Sequence, residues 1–284
     1  MTPRESAPLT DLSLDALALA VQENEIAFWL YRVQVAGWQT FEDDELLWYV
    51  SGRYDAMDNG VLRTRLTSAR ADARIAEMKH YFTERGLPFT WWGGPARRPA
   101  DLSTRLEAAG FVAQGDDPGM AAGLHALHED LPSPEGLTVE RVGDHTGLGD
   151  WISTLRVAND RLPLSGPLSL ERILLNGPAS YAVDDPYRLY IARVNGVPVA
   201  TSAILIGAGV AGVYCVGTVP SARRQGAATA VTLAGLLEAR AQGYHVGVLG
   251  ATTMGYSVYQ RLGFKPVCTL SSHTFSPEHD DFSG

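Results

Sequence analysis

The first extended pattern in the chain is helical. From 14 to 35, "LDALALAVQENEIAFWLYRVQV", apolar residues recur at three- and four-residue spacing, which predicts an amphipathic helix. Two short apolar runs follow, "DDELLWYVSG" (43–52) and "NGVLRTRL" (59–66), and both read as strands. "ADARIAEMKHYFTERG" (71–86) returns to helical spacing and stops at Gly86. A strand at 87–94, a short helix at 100–110 ending on Gly110, and a strand at 119–127 complete this half.

An acidic stretch rich in Pro, Ser and Gly, "HEDLPSPEGLTVERV" (128–142), marks a break. Beyond it the pattern predicts a strand at 137–142 and helices at 147–160 and 168–175. Two strands at 187–194 and 197–206 flank Asn195-Gly196, a pair suited to a type I′ hairpin turn. A strand at 210–220, a helix at 226–243, a strand at 244–251, a short helix at 253–263 and a strand at 264–272 close the chain. The expected domains are therefore 1–132 and 133–284.

The two halves end alike: strand, Ser-Ala-Arg, helix, strand, short helix, Gly-Phe, strand. Arg70 to Gly110 and Arg223 to Gly263 both span 40 positions. The intervening elements do not align without gaps. A duplication is the favoured reading, against two α/β units with ordinary turn residues.

Composition narrows the function. The 284 residues suffice for two domains. No apolar run approaches the roughly 20 residues that span a membrane, and the first residues lack the layout of a signal peptide. Two cysteines, Cys215 and Cys268, make neither a disulfide framework nor a metal site, so a cytoplasmic protein is expected. The seven histidines show no ligand spacing, and no metal is expected. A net charge of −9 argues against nucleic-acid binding. Yet no Asp or Glu occurs between Pro186 and Leu237, where an anion would be least repelled.

Two glycine patterns compete inside that window. "IGAGVAG" (206–212) holds a literal G-x-G-x-x-G, but a strand follows it instead of a helix, and the next acid is Glu238. It reads as a hairpin turn. No P-loop motif is present. "VPSARRQGAATAV" (219–231) is the stronger candidate. A strand ends, and a helix starts near Gly226 with four unpartnered N–H groups and a positive dipole end. Gly226 permits close approach. Ala227 and Ala228 keep the turn thin, Arg223, Arg224 and Gln225 supply donors, and Thr229 adds a hydroxyl.

These residues resemble a known signature. Arg223-Arg224-Gln225-Gly226-Ala227-Ala228 is similar to the R/Q-x-x-G-x-G/A motif of the GCN5-related N-acetyltransferases (GNAT family), and "YSVYQRLGF" (256–264) to their pattern ending L-Y-x-x-L-G-F. The resemblance covers about 137–276. It implies an α/β (α+β) fold of two tandem GNAT-like domains. Each has a mixed, mostly antiparallel sheet flanked by helices, and the C-terminal one has a splayed parallel strand pair. It implies acetyl-CoA as co-substrate, its diphosphate at 223–229. The pantetheine arm would lie against the backbone of Val216, Thr218 and Val219 beside a bulge at Gly217, with Thr252 in the place often taken by Asn. Tyr259 would be the general acid that protonates the departing thiolate.

The sequence departs from the family at the base. The strand 210–220 carries no carboxylate; Tyr214 and Cys215 are its ionisable side chains. Asp160 is the candidate base, with Asp184, Asp185, Asp55 and Asp58 as further possibilities. In the first half, "SARADARIAEM" has Asp72 where an anion would lie, and Leu106 stands where Tyr259 does, so that half is expected to be degenerate and non-catalytic. The expected reaction is direct transfer of acetyl to a primary amine of a small-molecule or amino-acid-like acceptor by a monomer or homodimer, with no nucleic-acid or membrane partner. The alternatives are a non-catalytic acyl-CoA-binding module and an acetyltransferase acting on a peptide or protein amine.

Overall fold

The computed structural model describes residues 7–159 and 185–277. In chain order the elements are α1 (Leu14–Ala36), β1 (Gln39–Glu42), β2 (Leu46–Val50), β3 (Gly60–Thr64), α2 (Ser68–Thr83), β4 (Phe89–Gly93), α3 (Leu102–Ala108), β5 (Val112–Gly123), β6 (Leu137–Arg141), α4 (His145–Ala158), β7 (Tyr187–Val194), β8 (Val197–Gly207), β9 (Val210–Thr218), α5 (Ala227–Ala241), β10 (Val246–Gly250), α6 (Tyr256–Leu262) and β11 (Lys265–Phe275). The expected helix at 168–175 lies outside the described residues. β1 was not foreseen: its four residues are mostly exposed, so no alternation marks them, and backbone pairing with β2 defines the strand.

Contacts divide the chain into two units that do not coincide with the expected break at 132/133. One comprises the residues up to Val35 and Pro118–Val267; the other comprises Ala36–Asp117 and the residues from Cys268 onward. α1 thus belongs with the second-half elements. The reason is a buried polar lock. Asn24 is wholly buried; its Nδ2 donates to Gly207 O at 2.9 Å, and its Oδ1 accepts from Tyr214 Oη at 2.8 Å. Gly212 leaves room for it, since a Cβ there would lie 1.7 Å from Asn24 Oδ1.

In the larger unit the sheet order is β5-β10-β9-β8-β7-β6. All neighbours are antiparallel except β9 and β10. α5 and α6 pack on one core, built on Val231, Leu236, Leu262 and Phe264; α1 and α4 contribute to another, built on Tyr31, Trp151, Leu189 and Leu205. The turn 208–209 joins β8 to β9 with positive φ at both Ala208 and Gly209, so the literal G-x-G-x-x-G is a hairpin. Asn195 and Gly196 also have positive φ, as the type I′ turn requires.

In the smaller unit the order is β1-β2-β3-β4-β11, again with one parallel pair, β3 and β4. Phe82, Phe89, Trp91 and Phe111 form its core. Each unit therefore includes strand residues from the other half of the sequence. β5 residues 119–123 pair with β10, and β11 residues 271–275 pair with β4. The repeat is nevertheless real at short range. Phe111 N–H donates to Leu106 O at 3.0 Å, and Phe264 N–H to Tyr259 O at 3.0 Å, each across a positive-φ glycine, Gly110 or Gly263.

Candidate active site

The site is built around a defect in β9. Thr201 pairs with Gly217, but Ala203 pairs with Tyr214, so β9 fits one extra residue opposite Ser202. The bulge falls at Cys215–Val216, where Cys215 has φ 50°. It does not fall at Gly217, as expected from the glycine. Gly217 serves packing instead: a Cβ there would lie 2.8 Å from Ala158 Cβ and 3.2 Å from Leu155 Cδ1. The carbonyls around the bulge find side-chain partners, with Thr201 Oγ1 donating to Cys215 O at 3.0 Å and Trp151 Nε1 donating to Ser202 O at 3.1 Å.

The parallel register of β9 with β10 covers Ala211–Gly212 against Gly247–Val248, while β9 runs on to Thr218. This is the expected splayed pair. The three backbone positions expected to line it differ. Val216 sits in the bulge, outside the register with β8. Val219 is committed, because its N–H donates to Val199 O at 2.9 Å and its O accepts from Ala222 N–H at 3.0 Å. Thr218 O accepts from Arg223 Nε at 3.1 Å, but Thr218 Oγ1 is buried without a hydrogen-bond partner among the described residues.

Beyond β9 the chain makes a turn over Pro220–Ala222 and starts α5. Arg224 and Gly226 both take left-handed backbone, φ 61° and 96°. Gly226 is the N-cap, so no side chain caps the helix. Its lack of a Cβ serves a close approach, but to protein: a Cβ would lie 2.0 Å from Pro132 O. Arg223 is a clamp rather than a free cation. Its Nη2 donates to Ala158 O at 2.9 Å at the end of α4, where the helix dipole favours a positive charge. Arg224 and Gln225 are exposed; Gln225 Nε2 donates to Ser221 O at 3.1 Å, and Arg224 has no side-chain partner among the described residues. Ala227 and Thr229 are buried beneath the turn, and Ala228 is partly exposed.

Tyr259 projects from α6, and in the turn before that helix Thr252 Oγ1 accepts from Gly255 N–H at 3.3 Å. The phenol is buried and pushed up to about 12 by desolvation, with a smaller contribution from Cys215. It is a neutral proton donor throughout the neutral range. Cys215 is pushed up by burial as well, and its Sγ lies 3.3 Å from Tyr187 Oη, so the thiol is not set up as a nucleophile.

Of the acids named from the sequence, Asp160 and Asp184 lie outside the described residues. Asp55 and Asp58 serve the smaller unit, where Asp55 Oδ1 accepts from Met57 N–H and Asp58 pairs with Arg53 at 3.0 Å. Asp185 is held in the larger unit by Tyr31 and Tyr187. Tyr31 was not singled out in the sequence, because a helical tyrosine among apolar neighbours carries no motif. Among the described residues no group of three or more His, Cys, Asp or Glu could hold a metal, and no helix is long and apolar enough to cross a membrane.

Comparison with known proteins agrees with this geometry. The model of the Acetyltransferase (GNAT) family matches residues 158–264. No curated protein matches the chain significantly. Among solved structures, the fold is similar to a GCN5-related N-acetyltransferase from Kribbella flavida (TM-score 0.65, 18% identity, 89% of this chain and 95% of that one). It is also similar to one from Sphaerobacter thermophilus (TM-score 0.58, 17% identity, 99% of each chain). A tandem GNAT protein from the clavulanic acid biosynthesis pathway gives a TM-score of 0.54 at 16% identity over 83% of this chain and 79% of that one. The family model thus matches the segment that holds the bulge, the α5 start and Tyr259, and that segment is similar to the GNAT family of acetyltransferases.

Proposed function

We propose that this protein is an acetyl-CoA-dependent N-acetyltransferase whose acceptor is a primary amine of a small molecule or an amino-acid-like compound. The observation that carries the reading is the start of α5, a helix N-terminus with no side-chain cap, preceded by two left-handed residues, in a stretch without acids. Backbone N–H groups there suit a diphosphate, and Arg224 adds a cation. The residues fit acetyl-CoA at a second point: the orphaned Thr218 Oγ1 beside the bulge can bond an amide of the pantetheine arm.

When bound, acetyl-CoA supplies an acetyl thioester. The chain's residues then do three things. The α5 start and Arg224 hold the diphosphate. The backbone of Val216, which sits in the bulge outside the register with β8, would polarise the thioester carbonyl. Tyr259 gives its proton to the sulfur as the C–S bond breaks. Arg223 acts one step back, joining β9 to the end of α4 and so setting the loop. The smaller unit lacks these parts and is assigned no catalysis.

The test is release of free thiol from acetyl-CoA across a panel of small amines, amino acids and peptides, with calorimetric CoA binding in parallel. Amine-dependent release, greatest for small amines, supports the reading. CoA binding without release for any amine would leave a binding module, a reading that the carboxylate-free β9 favours. Release with peptides alone would move the acceptor class.

A further inference from the structure

β9 offers no carboxylate, yet an amine that arrives protonated must lose a proton before it attacks. Among the described residues, one acid is held by a residue that also reaches the bulge. Asp185 lies just before β7. Its Oδ2 accepts from Tyr31 Oη of α1 at 3.1 Å, and its Oδ1 accepts from Tyr187 N–H at 2.7 Å. Tyr187 carries the connection onward. Its ring packs 5.2 Å from that of Tyr31, and its hydroxyl reaches Cys215 Sγ at 3.3 Å, on the bulge itself. A single residue thus touches the carboxylate with its backbone and the bulge with its side chain. Phe28 of α1 stacks on Tyr214 at 4.1 Å and closes an aromatic wall on this side of β9.

The geometry points to Asp185 as the base that receives the acceptor's proton, with Tyr31 as its relay. This rests on the acetyltransferase reading and adds the residue that reading lacks. The balance is as follows. The ammonium passes one proton to the Tyr31 oxygen as Tyr31 passes its own to Asp185. The nitrogen lone pair forms the bond to the acetyl carbon, the C–S bond breaks, and the thiolate takes a proton from Tyr259. The second proton on nitrogen leaves to solvent, from which Tyr259 is replenished. Asp185 returns its proton to solvent, so one proton is released overall.

The charges around Asp185 suit the task. Burial raises its pKa from the ordinary carboxylate value, toward the range where a base works best. The N–H of Tyr187, the hydroxyl of Tyr31, and Arg141 on β6 with Arg188 on β7 each pull it back down, favouring the charged carboxylate. Tyr31 itself is raised by burial and by Asp185, so it stays a neutral relay.

Three variants test the assignment through the pH dependence of kcat. Asp185→Asn is expected to lose the acid limb of the profile and to lower the plateau about 100-fold, the scale of general-base catalysis. CoA affinity and melting temperature should hold. Tyr31→Phe removes both the relay and a hydrogen bond that favours the carboxylate, so the plateau should fall and the acid limb should also move to higher pH. Asp185→Glu should recover part of the plateau, and it is the readout if the Asn variant does not fold. If Asp185→Asn keeps both plateau and limb, or if Tyr31→Phe lowers activity equally at every pH, Asp185 is not the base. Absence of amine-dependent thiol release by the unaltered protein would instead overturn the acetyltransferase reading itself.

Discussion

α2 and α5 each follow the strand that forms a parallel pair, and both are introduced by Ser-Ala-Arg, yet their first turns differ in what they can hold. At α2 the charges are spent internally. Arg70 pairs with Glu45 at 3.2 Å, Arg74 with Glu77 at 2.7 Å and with Asp43, and Arg105 reaches across to Asp72 at 2.8 Å. The approach from β3 is occupied as well: Leu66 N–H donates to Arg98 O at 3.1 Å, and Arg98 N–H to Thr64 O at 3.2 Å. At α5 no acid is near in sequence, and two left-handed residues shape the turn. The comparison teaches that a helix N-terminus is not by itself an anion site. What separates the two is the acids: α2 has them paired around its first turn, whereas at α5 the close neighbour of Gly226 is the Pro132 carbonyl. The ends of the units preserve the kinship: Leu106 and Tyr259 accept the same bond from the phenylalanine that follows each glycine, but only one of them carries a proton.

The sharpest way to break the contrast is at Gly226. Gly226→Val forces a β-branched residue into φ 96° and against Pro132 O. A strain of about 3 kcal/mol should weaken CoA binding at least about 100-fold by calorimetry. Affinity unchanged would remove the α5 start from the site. Next is Tyr259→Phe, which makes α6 resemble α3. Turnover should fall about 100-fold with CoA affinity unchanged; full turnover would leave the thiolate to solvent. Third, Arg224→Ala should weaken CoA binding about tenfold, for loss of a charge-assisted contact of about 1.5 kcal/mol. Arg70→Ala, its counterpart at α2, should leave binding untouched, and equal losses at both would mean that the smaller unit also binds. The smallest effect is expected at Gly217→Ala. Overpacking against Ala158 should cost about 1–3 kcal/mol, read as a lower melting temperature.

The legible part of the fold was local. Asn195-Gly196 marked its hairpin, Gly110 and Gly263 marked helix ends, and the acid-free window marked the loop before α5, because turn chemistry and charge act over a few residues. The bulge was placed two residues off. A glycine in a strand signals either a bulge or close packing, and here Leu155 and Ala158 of α4 took up the space at Gly217 while Cys215 bent the chain. Asp185 gave no motif either, since its partners come from α1, 154 positions away in the case of Tyr31.

The sequence by itself determined most of the elements, their order, the repeat of the helix ends and the glycine turn before α5, all of which follow from spacing within a dozen residues. The tertiary structure decided which strands pair, that α1 joins the second-half elements through Asn24, that Arg223 clamps while Arg224 stays open, and which residues surround Asp185. These depend on burial and on partners far apart in the chain. A pattern of apolar positions says that a face must be covered; it does not say by what.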